Sequence, residues 1–397
     1  MGIFSQDREK DKEKGKLALV FDIGSSSVGG ALFWVQKSGI PKIIFSIREP
    51  ITLEENIEVD RFLSLTIKSL EIVASKTHLA GLGAPKAIFC VLSSPWYVSQ
   101  TRVIRLEKNT PFIFTSKLAD GLIQKELALF EEEHLAKYLQ ADSSVRSIEF
   151  KNIKTVLNGY ETLNPLNQKA KELEMTIFIS MSPEQVLKKM EETIKMHFHF
   201  KDVKFSSFAL SSFAVVRDMY INQENFLLID IGGEMTDISM VKKNTLQGSI
   251  SFPLGRNFIT RGVASALHCS LSEAESFISL FKDEHATESV AKKLQSFIGK
   301  LKVEWLQKFQ ESLANLSNDI SVPATIYIAV DEDLADFFRQ IIEVEQFNQY
   351  TLTESKFKVI FLAVEIFHGL AQFKENVIRD PFLIIDSIYI NRFLTRI

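Results

Sequence analysis

The chain has 397 residues, of which 46% are hydrophobic and 24% charged, so it is long enough for two or three domains with sizeable cores. Its 46 Lys and Arg residues stand against 50 Asp and Glu residues, a net charge of −4, which gives no sign of the clustered basic surface that nucleic-acid binding needs. Two cysteines without metal-ligand spacing, Cys90 and Cys269, indicate buried thiols in a reducing compartment. No apolar run approaches the roughly 20 residues of a membrane span, and residues 1–16 lack the apolar segment of a secretory signal. They predict a short charged tail on a cytoplasmic protein.

The first predicted element is a β-hairpin over residues 17–33. An apolar run ends at Asp22, a turn of small residues follows, and a second apolar run completes the hairpin; the turn residues are Gly24, Ser25, Ser26 and Ser27. Glycine adopts backbone conformations closed to other residues and lets N–H groups approach an anion closely. An Asp at the end of a strand is well placed to face a metal ion or its water shell. A single hairpin of this kind is nonetheless more typical of an ordinary turn.

The next stretch predicts a strand at 42–47, a helix over 54–78 and a buried strand at 86–92. Residues 85–180 form a separate small predicted unit, with strands at 98–106, 145–156 and 174–179 and a helix over 116–138.

A helix over 182–197 follows, opened by Pro183 in its first turn. His197 and His199 alternate with phenylalanines, but no further ligand stands at metal-binding spacing, so a strand end is favoured over a metal site. A helix over 208–217 leads to the next hairpin.

The second hairpin, over residues 226–241, repeats the plan of the first. Its turn contains Asp230, Gly232, Gly233, Thr236 and Asp237. Two such turns that face each other could hold a phosphate chain with its Mg²⁺ between them, whereas one alone could not.

Beyond it, a strand at 249–253 precedes a helical region over about 256–320, with a capping signal at 271–275. A strand at 325–330, a helix over 333–343, a strand at 356–364 and a closing strand-like run at 381–390 complete the chain.

The paired hairpins resemble the two phosphate-binding hairpins of the actin-like ATPase superfamily, in particular the bacterial branch that holds the cell-division protein FtsA and the pilus-assembly protein PilM. The unit at 85–180 resembles the small subdomain inserted in that branch, and Asn164-Pro165 falls where the family also carries Asn-Pro. The resemblance implies an α/β fold in which two related halves flank a nucleotide cleft, with a small inserted α+β subdomain. Its expected segments are the first half at 17–84 and 181–225, the insert at 85–180, and the second half at 226–397.

The resemblance also implies ATP and Mg²⁺ as cofactors. Asp22 and Asp230 would act on Mg²⁺ through bound water and would be the candidate catalytic residues. Glu275 would lie near the ribose, and the phosphates would be lined by Gly24, Ser25, Ser26, Ser27, Gly232, Gly233 and Thr236. Two departures from the family pattern, the acids of 331–333 in place of a glycine turn and Ile278 in place of a lysine, predict weak ATP binding and at most slow turnover.

Three functions are compatible with this resemblance. The favoured one is a cytoplasmic ATP-binding scaffold, acting at the inner face of the membrane through protein partners and possible self-association, in type IV pilus assembly or cell division. The short segment 391–397 offers no room for the linker and membrane helix of FtsA, which favours the pilus type. The alternatives are a small-molecule kinase with Asp230 or Asp237 as base, and a scaffold that no longer turns over nucleotide.

Overall fold

The computed structural model describes residues 15–138, 144–199, 202–283, 285–317, 322–331, 334–344 and 357–394. Residues 1–14 of the expected tail lie outside this description, as do Glu332 and Asp333 of the acidic turn.

The described secondary structure follows most of the predicted order of elements, but it adds strands at Val203–Ser207 and Gln372–Phe373 and has a helix at Pro381–Tyr389. The strands are β1 (Leu17–Ile23), β2 (Ser27–Trp34), β3 (Lys42–Pro50), β4 (Ala87–Leu92), β5 (Val98–Ile113), β6 (Val145–Leu157), β7 (Tyr160–Glu161), β8 (Lys169–Pro183), β9 (Val203–Ser207), β10 (Phe226–Ile231), β11 (Thr236–Lys242), β12 (Thr245–Phe252), β13 (Thr325–Val330), β14 (Lys358–Phe361) and β15 (Gln372–Phe373). The helices are α1 (Val59–Leu79), α2 (Ser116–Tyr138), α3 (Glu184–His197), α4 (Phe208–Met219), α5 (Arg256–Leu267), α6 (Leu271–Lys282), α7 (Glu288–Ser317), α8 (Ala335–Val344) and α9 (Pro381–Tyr389). Because α3 ends at His197, the expectation of a strand end there is wrong.

Two sheets share one topology, as expected for two related halves. The first runs β15-β3-β2-β1-β4-β9 and the second β12-β11-β10-β13-β14. In each, three antiparallel strands are followed by two strands parallel to the central one. The central strands β1 and β10 are almost wholly buried, which explains their continuous apolar runs.

Helices cover both faces of the first sheet. A methyl group added at Gly29 of β2 would meet Leu383 of α9, whereas one added at Gly30 would meet Val73 of α1. Since neighbouring residues of a strand point to opposite faces, α1 and α9 lie on opposite sides of the sheet.

The closing run at 381–390 is a helix of the first half, so its expected place as a strand of the second half is wrong. Asp380 caps α9 by accepting a hydrogen bond from Leu383 N (3.0 Å), and Pro381 occupies the first turn. Residues 383–390 pack into the core of the first half, and β15 pairs with β3 of the same sheet. The Asp-Pro pair was the available sequence signal for a helix start.

The third sheet, β5-β8-β6-β7, carries α2 on a separate small core. It begins at Val98, whereas β4 at 87–92 belongs to the first sheet. The start of the insert is therefore closer to residue 98 than to the expected residue 85.

The second half carries the predicted helical region as α5, α6 and α7. Ser270 and Glu273 form the capping box at the start of α6, and Trp305 and Phe309 of α7 are buried against the second sheet. Cys90 is buried, but Cys269 is only partly so, which corrects the expectation for that thiol. Among the described residues, no helix is both long and apolar enough to cross a bilayer.

Candidate functional site

The two predicted hairpins face each other, and their turns are in direct contact. Glu234 N donates a hydrogen bond to Ser25 Oγ (3.0 Å) across the two halves. A methyl group added at Gly233 would lie 2.6 Å from the carbonyl oxygen of Ser25, and one added at Gly232 would lie 2.8 Å from Ser25 Oγ. The glycines of the second turn therefore make room for the first turn itself.

Backbone groups expected to bind phosphate close the turns instead. Gly24 N donates to Ser27 O (3.1 Å), and Gly232 N donates to Met235 O (2.9 Å). Ser26 O accepts from Ile51 N (2.8 Å). Each of these groups is thus satisfied within its own half.

Asp22, the first expected magnesium-facing residue, is paired with an arginine. Arg48 Nη2 lies 2.6 Å from one carboxylate oxygen of Asp22, and the same guanidinium contacts Asp380 and Ser27. Burial raises the pKa of Asp22, while the charge of Arg48 opposes that rise. Burial alone would also raise the pKa of Asp380, but Arg48 and the amides of α9 lower it below its usual range.

Two further acids near the hairpins, Glu234 and Asp331, also have arginine partners. Glu234 is buried and receives two hydrogen bonds from Arg261, at 2.7 and 2.8 Å, and one from Asn257 at 2.7 Å. Asp331 of the acidic turn accepts from Arg256. The charge of Asp331 is therefore neutralised by an ion pair.

At the second turn, Asp237 is buried, whereas Asp230 is half-buried. Asp237 accepts from Ser94 of the first half (2.8 Å) and from Ser251. Burial, then the charges of Asp237 and Asp22, raise the pKa of Asp230 well above its usual value, against a hydrogen bond from Ser93. The cavity beside these two carboxylates is about 10 Å³, barely enough for one water molecule, so nothing here favours the kinase alternative.

Two further expected residues do not join this arrangement. Thr236 is buried, donates to Leu254 O (2.7 Å) and accepts from the indole of Trp305. Glu275 is exposed on α6, and none of the contacts between described residues links it to the hairpins.

The residues present do not fit Mg·ATP between the turns. The second cavity that borders them, lined by Ser25, Glu234 and Arg261 among others, is also about 10 Å³, whereas sites for small ligands span roughly 300–1,000 Å³. The superfamily named by the resemblance is expected to bind nucleotide and Mg²⁺ between two such turns, whereas here the two turns contact each other directly.

An open groove lies between the insert and the first half. Its volume is about 450 Å³, and its walls are β6 and β9; it is lined by Arg146, Ser147, Ile148, Glu149, Phe150, Lys151, Val203, Lys204, Phe205, Ser206, Leu210 and Tyr389. Sequence reasoning missed this groove, because its position depends on how two sheets are joined.

Glu149 forms the floor of the groove and connects its walls. Its carboxylate accepts from Ser207 N (2.9 Å), from Ser180 Oγ (3.0 Å) and from the hydroxyls of Ser206 and Ser207. Ser207 is the N-cap of α4, where a negative charge is favourable. Glu149 therefore fixes β6 of the insert to the start of a first-half helix.

A larger cavity, about 1010 Å³, lies at the opposite end of β1 and is lined by Lys16, Trp34 and Arg392 among others. None of the predicted site residues lines it. No cluster of metal-binding side chains occurs within the described ranges.

Comparison with known proteins gives one family match. The family of the cell division protein FtsA matches residues 227–355. No curated protein matches the chain.

Among solved structures, a protein of the "PilM-PilN type IV pilus biogenesis complex" is similar over 95% of this chain and 96% of its own, with a TM-score of 0.61 and 14% identity. The ethanolamine utilization protein EutJ from Carboxydothermus hydrogenoformans matches 95% of this chain and 89% of its own, with a TM-score of 0.40 and 11% identity. A Bacteroides thetaiotaomicron protein with an actin-like ATPase fold matches 91% of this chain and 93% of its own, with a TM-score of 0.39 and 9% identity.

Proposed function

We propose that this chain, which has the actin-like ATPase fold and the predicted resemblance to the FtsA/PilM branch, acts as a protein-binding scaffold. The observation that carries the proposal is the open groove between β6 and β9, next to a nucleotide position that the protein fills itself. The scaffold takes up a segment of a partner protein in that groove, and no nucleotide step enters its function.

The backbone at the groove is suited to an extended segment. Among the strands that the structure describes, β6 pairs with β8 along one edge and with β7 at Val156 and Leu157 on the other. β9 is the edge strand of the first sheet and pairs only with β4 among the described strands. Unpaired edges offer N–H and C=O groups to an added strand, which is a recurring mode of peptide recognition.

The side chains at the groove add apolar contacts. Phe150 is 43% exposed, and Ile148 and Phe205 are partly exposed beside it. Lys151 and Lys204 stand exposed at the rim. An extended segment with apolar side chains at alternate positions would bury these rings while its backbone pairs with a sheet edge.

Type IV pilus assembly is the machine we propose for the scaffold. A solved structure similar over 95% of the chain, with a TM-score of 0.61, belongs to a PilM–PilN complex, whereas the FtsA match covers residues 227–355. A PilN-like membrane protein is then the proposed partner, and through it the chain would act at the inner face of the membrane.

Peptides tiled over pilus-assembly and cell-division membrane proteins of the source cell test this proposal. Fluorescence polarisation should find a binder among the pilus peptides, and Phe150→Glu should weaken it at least tenfold by placing a charge in the groove. Leu163→Glu is the matched control, because Leu163 is 93% exposed in the same subdomain and lies outside the groove. Equal affinity of wild type and Phe150→Glu would contradict the groove assignment, and binders only among division peptides would contradict the pilus assignment.

A further inference from the structure

We infer that the two hairpins form a permanent contact between the two halves, called the joint below. In this joint, Arg48 supplies the positive charge that Asp22 would otherwise receive from Mg²⁺. The closed arrangement of the halves therefore needs no nucleotide. This inference does not depend on the groove or on its partner.

The joint begins with a row of three residues across the first sheet. Asp22 of β1 is opposite Gly29 of β2, and Gly29 is opposite Arg48 of β3. A methyl group added at Gly29 would lie 2.8 Å from Arg48 Nη2. Because Gly29 has no side chain, the side chain of Arg48 can extend across β2 to the end of β1.

Arg48 binds three groups with one guanidinium. Its Nη2 lies 2.6 Å from Asp22 and 3.0 Å from Asp380, its Nε lies 2.5 Å from Asp380, and its Nη1 lies 3.0 Å from Ser27 Oγ. The planar, forked guanidinium group is always charged, and its N–H groups can bind two carboxylates at once. The side chain of Asp22 is only 3% exposed, so its charge needs a partner of this kind. Arg48 occupies Oδ2 of Asp22, whereas Oδ1 has no hydrogen-bond partner among the described residues.

The second half completes the joint at the turns. The backbone of Ser25 rests against Gly233, and its hydroxyl accepts from Glu234 N. Glu234 is in turn held by Arg261, which also donates to Glu54 O of the first half (2.8 Å). A phosphate chain at this position would have to separate the turns and break these contacts between the halves.

The cations of the joint are thus part of the chain. Arg48 pairs with Asp22 and Asp380, and Arg261 pairs with Glu234. In a nucleotide-dependent cleft the carboxylates would instead be matched by a bound metal ion. Here Asp22, Asp380 and Glu234 are neutralised without a ligand, while Asp237 is held by the hydroxyls of Ser94 and Ser251.

Thermal unfolding of the wild-type full chain with millimolar Mg·ATP, Mg·ADP or Mg·GTP tests the inference directly. A ligand that binds the native state raises the unfolding temperature once its concentration exceeds its Kd, so we expect no shift with any of the three. Calorimetric titration should likewise show no saturable heat. A rise of several degrees with Mg·ATP that Asp230→Asn abolishes would overturn the inference, whatever the result for the groove peptides.

Variants of Arg48 supply the second test. Arg48→Met should lower the unfolding temperature by several degrees, and Arg48→Lys should lower it less, because a lysine keeps the charge but lacks the fork. Arg61→Met is the control, since Arg61 forms an exposed pair with Glu54 at 2.8 Å and should change little. An unfolding temperature of Arg48→Met equal to that of wild type would overturn the inference. If Arg48→Met does not fold, the wild-type titration decides alone.

Discussion

The cleft between the hairpins and the groove between β6 and β9 are two concave positions in one fold, and they differ in what fills them. At the cleft, the two neighbouring cavities are each about 10 Å³, because turns and arginine side chains pack there. At the groove, about 450 Å³ is left between two sheet edges. The glycine and serine residues of the two turns, which are typical of phosphate binding, therefore pack against each other here. The position that is open to a ligand is the groove.

The same contrast appears in the charges. Asp22, Glu234 and Asp331 at the cleft are each paired with an arginine, so these three carboxylates are neutralised within the protein. At the groove, Glu149 is satisfied from below by the first half, while Lys151 and Lys204 remain exposed above it. In the groove, Glu149 is thus held by hydrogen bonds, while the two lysines remain accessible to a ligand.

Removal of the groove floor should give the largest effect on stability. Glu149→Ala leaves the amide of Ser207 and the hydroxyls of Ser180, Ser206 and Ser207 without their acceptor. Each buried unsatisfied group costs about 1–3 kcal/mol, so a total loss of about 3 kcal/mol is expected after relaxation. Urea denaturation should show this loss, together with weaker binding of the groove peptide. A Glu149→Ala variant as stable as wild type, with unchanged peptide affinity, would contradict the role of Glu149 as the structural support of the groove.

A methyl group at the contact between the turns should have the next largest effect. In Gly233→Ala the new carbon would lie 2.6 Å from the backbone of Ser25, and overpacking of this kind costs about 1–3 kcal/mol. Gly121→Ala is the control: no atom lies within 4 Å of its added methyl group, and alanine is favoured over glycine within a helix such as α2. Peptide binding at the groove should survive in both variants. If Gly233→Ala is as stable as wild type, the turns are not in contact in solution.

A pH profile should show the smallest effect. Burial raises the pKa of Glu149 above its usual value, against hydrogen bonds from Ser206, Ser207 and Ser180. The folded state then binds this proton more tightly than the unfolded state, so the contribution of Glu149 to the free energy of unfolding increases as the pH falls through the folded pKa. It becomes constant below the unfolded pKa of about 4.3, and it is lost as the pH rises.

Glu149→Gln removes that titration at nearly equal volume. The stability of the variant relative to wild type should therefore decrease as the pH is lowered from about 8 to 5, as measured by denaturation at each pH. A relative stability that stays constant or increases over this range would contradict the assignment.

Most of the fold could be predicted because its signals are local. The apolar runs and turns of both hairpins, and the capping box at Ser270, each lie within a few residues of sequence. The run at 381–390 was assigned wrongly because short buried helices and strands share a continuous apolar pattern. Its helix signal, Asp380 followed by Pro381, was present but was outweighed by the apolar run.

The closed site could not be predicted from local patterns. Asp22, Gly29 and Arg48 come together through strand register, and Asp380 reaches Arg48 from the far end of the chain. The hairpin motif shows only that a turn exists, and the residues of other strands decide whether it contacts phosphate or protein. The groove, likewise, depends on which strands remain at the sheet edges.

Hydrogen–deuterium exchange of the wild-type chain, with and without millimolar Mg·ATP, tests the central contrast most directly. Peptides that cover residues 17–34 and 227–241 should exchange slowly, since these strands are buried and the Glu234 amide is bonded to Ser25, and Mg·ATP should not change them. Peptides that cover 145–155 should exchange faster, because half of their amides face the open edge of β6. A marked slowing of the two hairpins on addition of Mg·ATP would contradict the account, because it would show a cleft that opens to nucleotide.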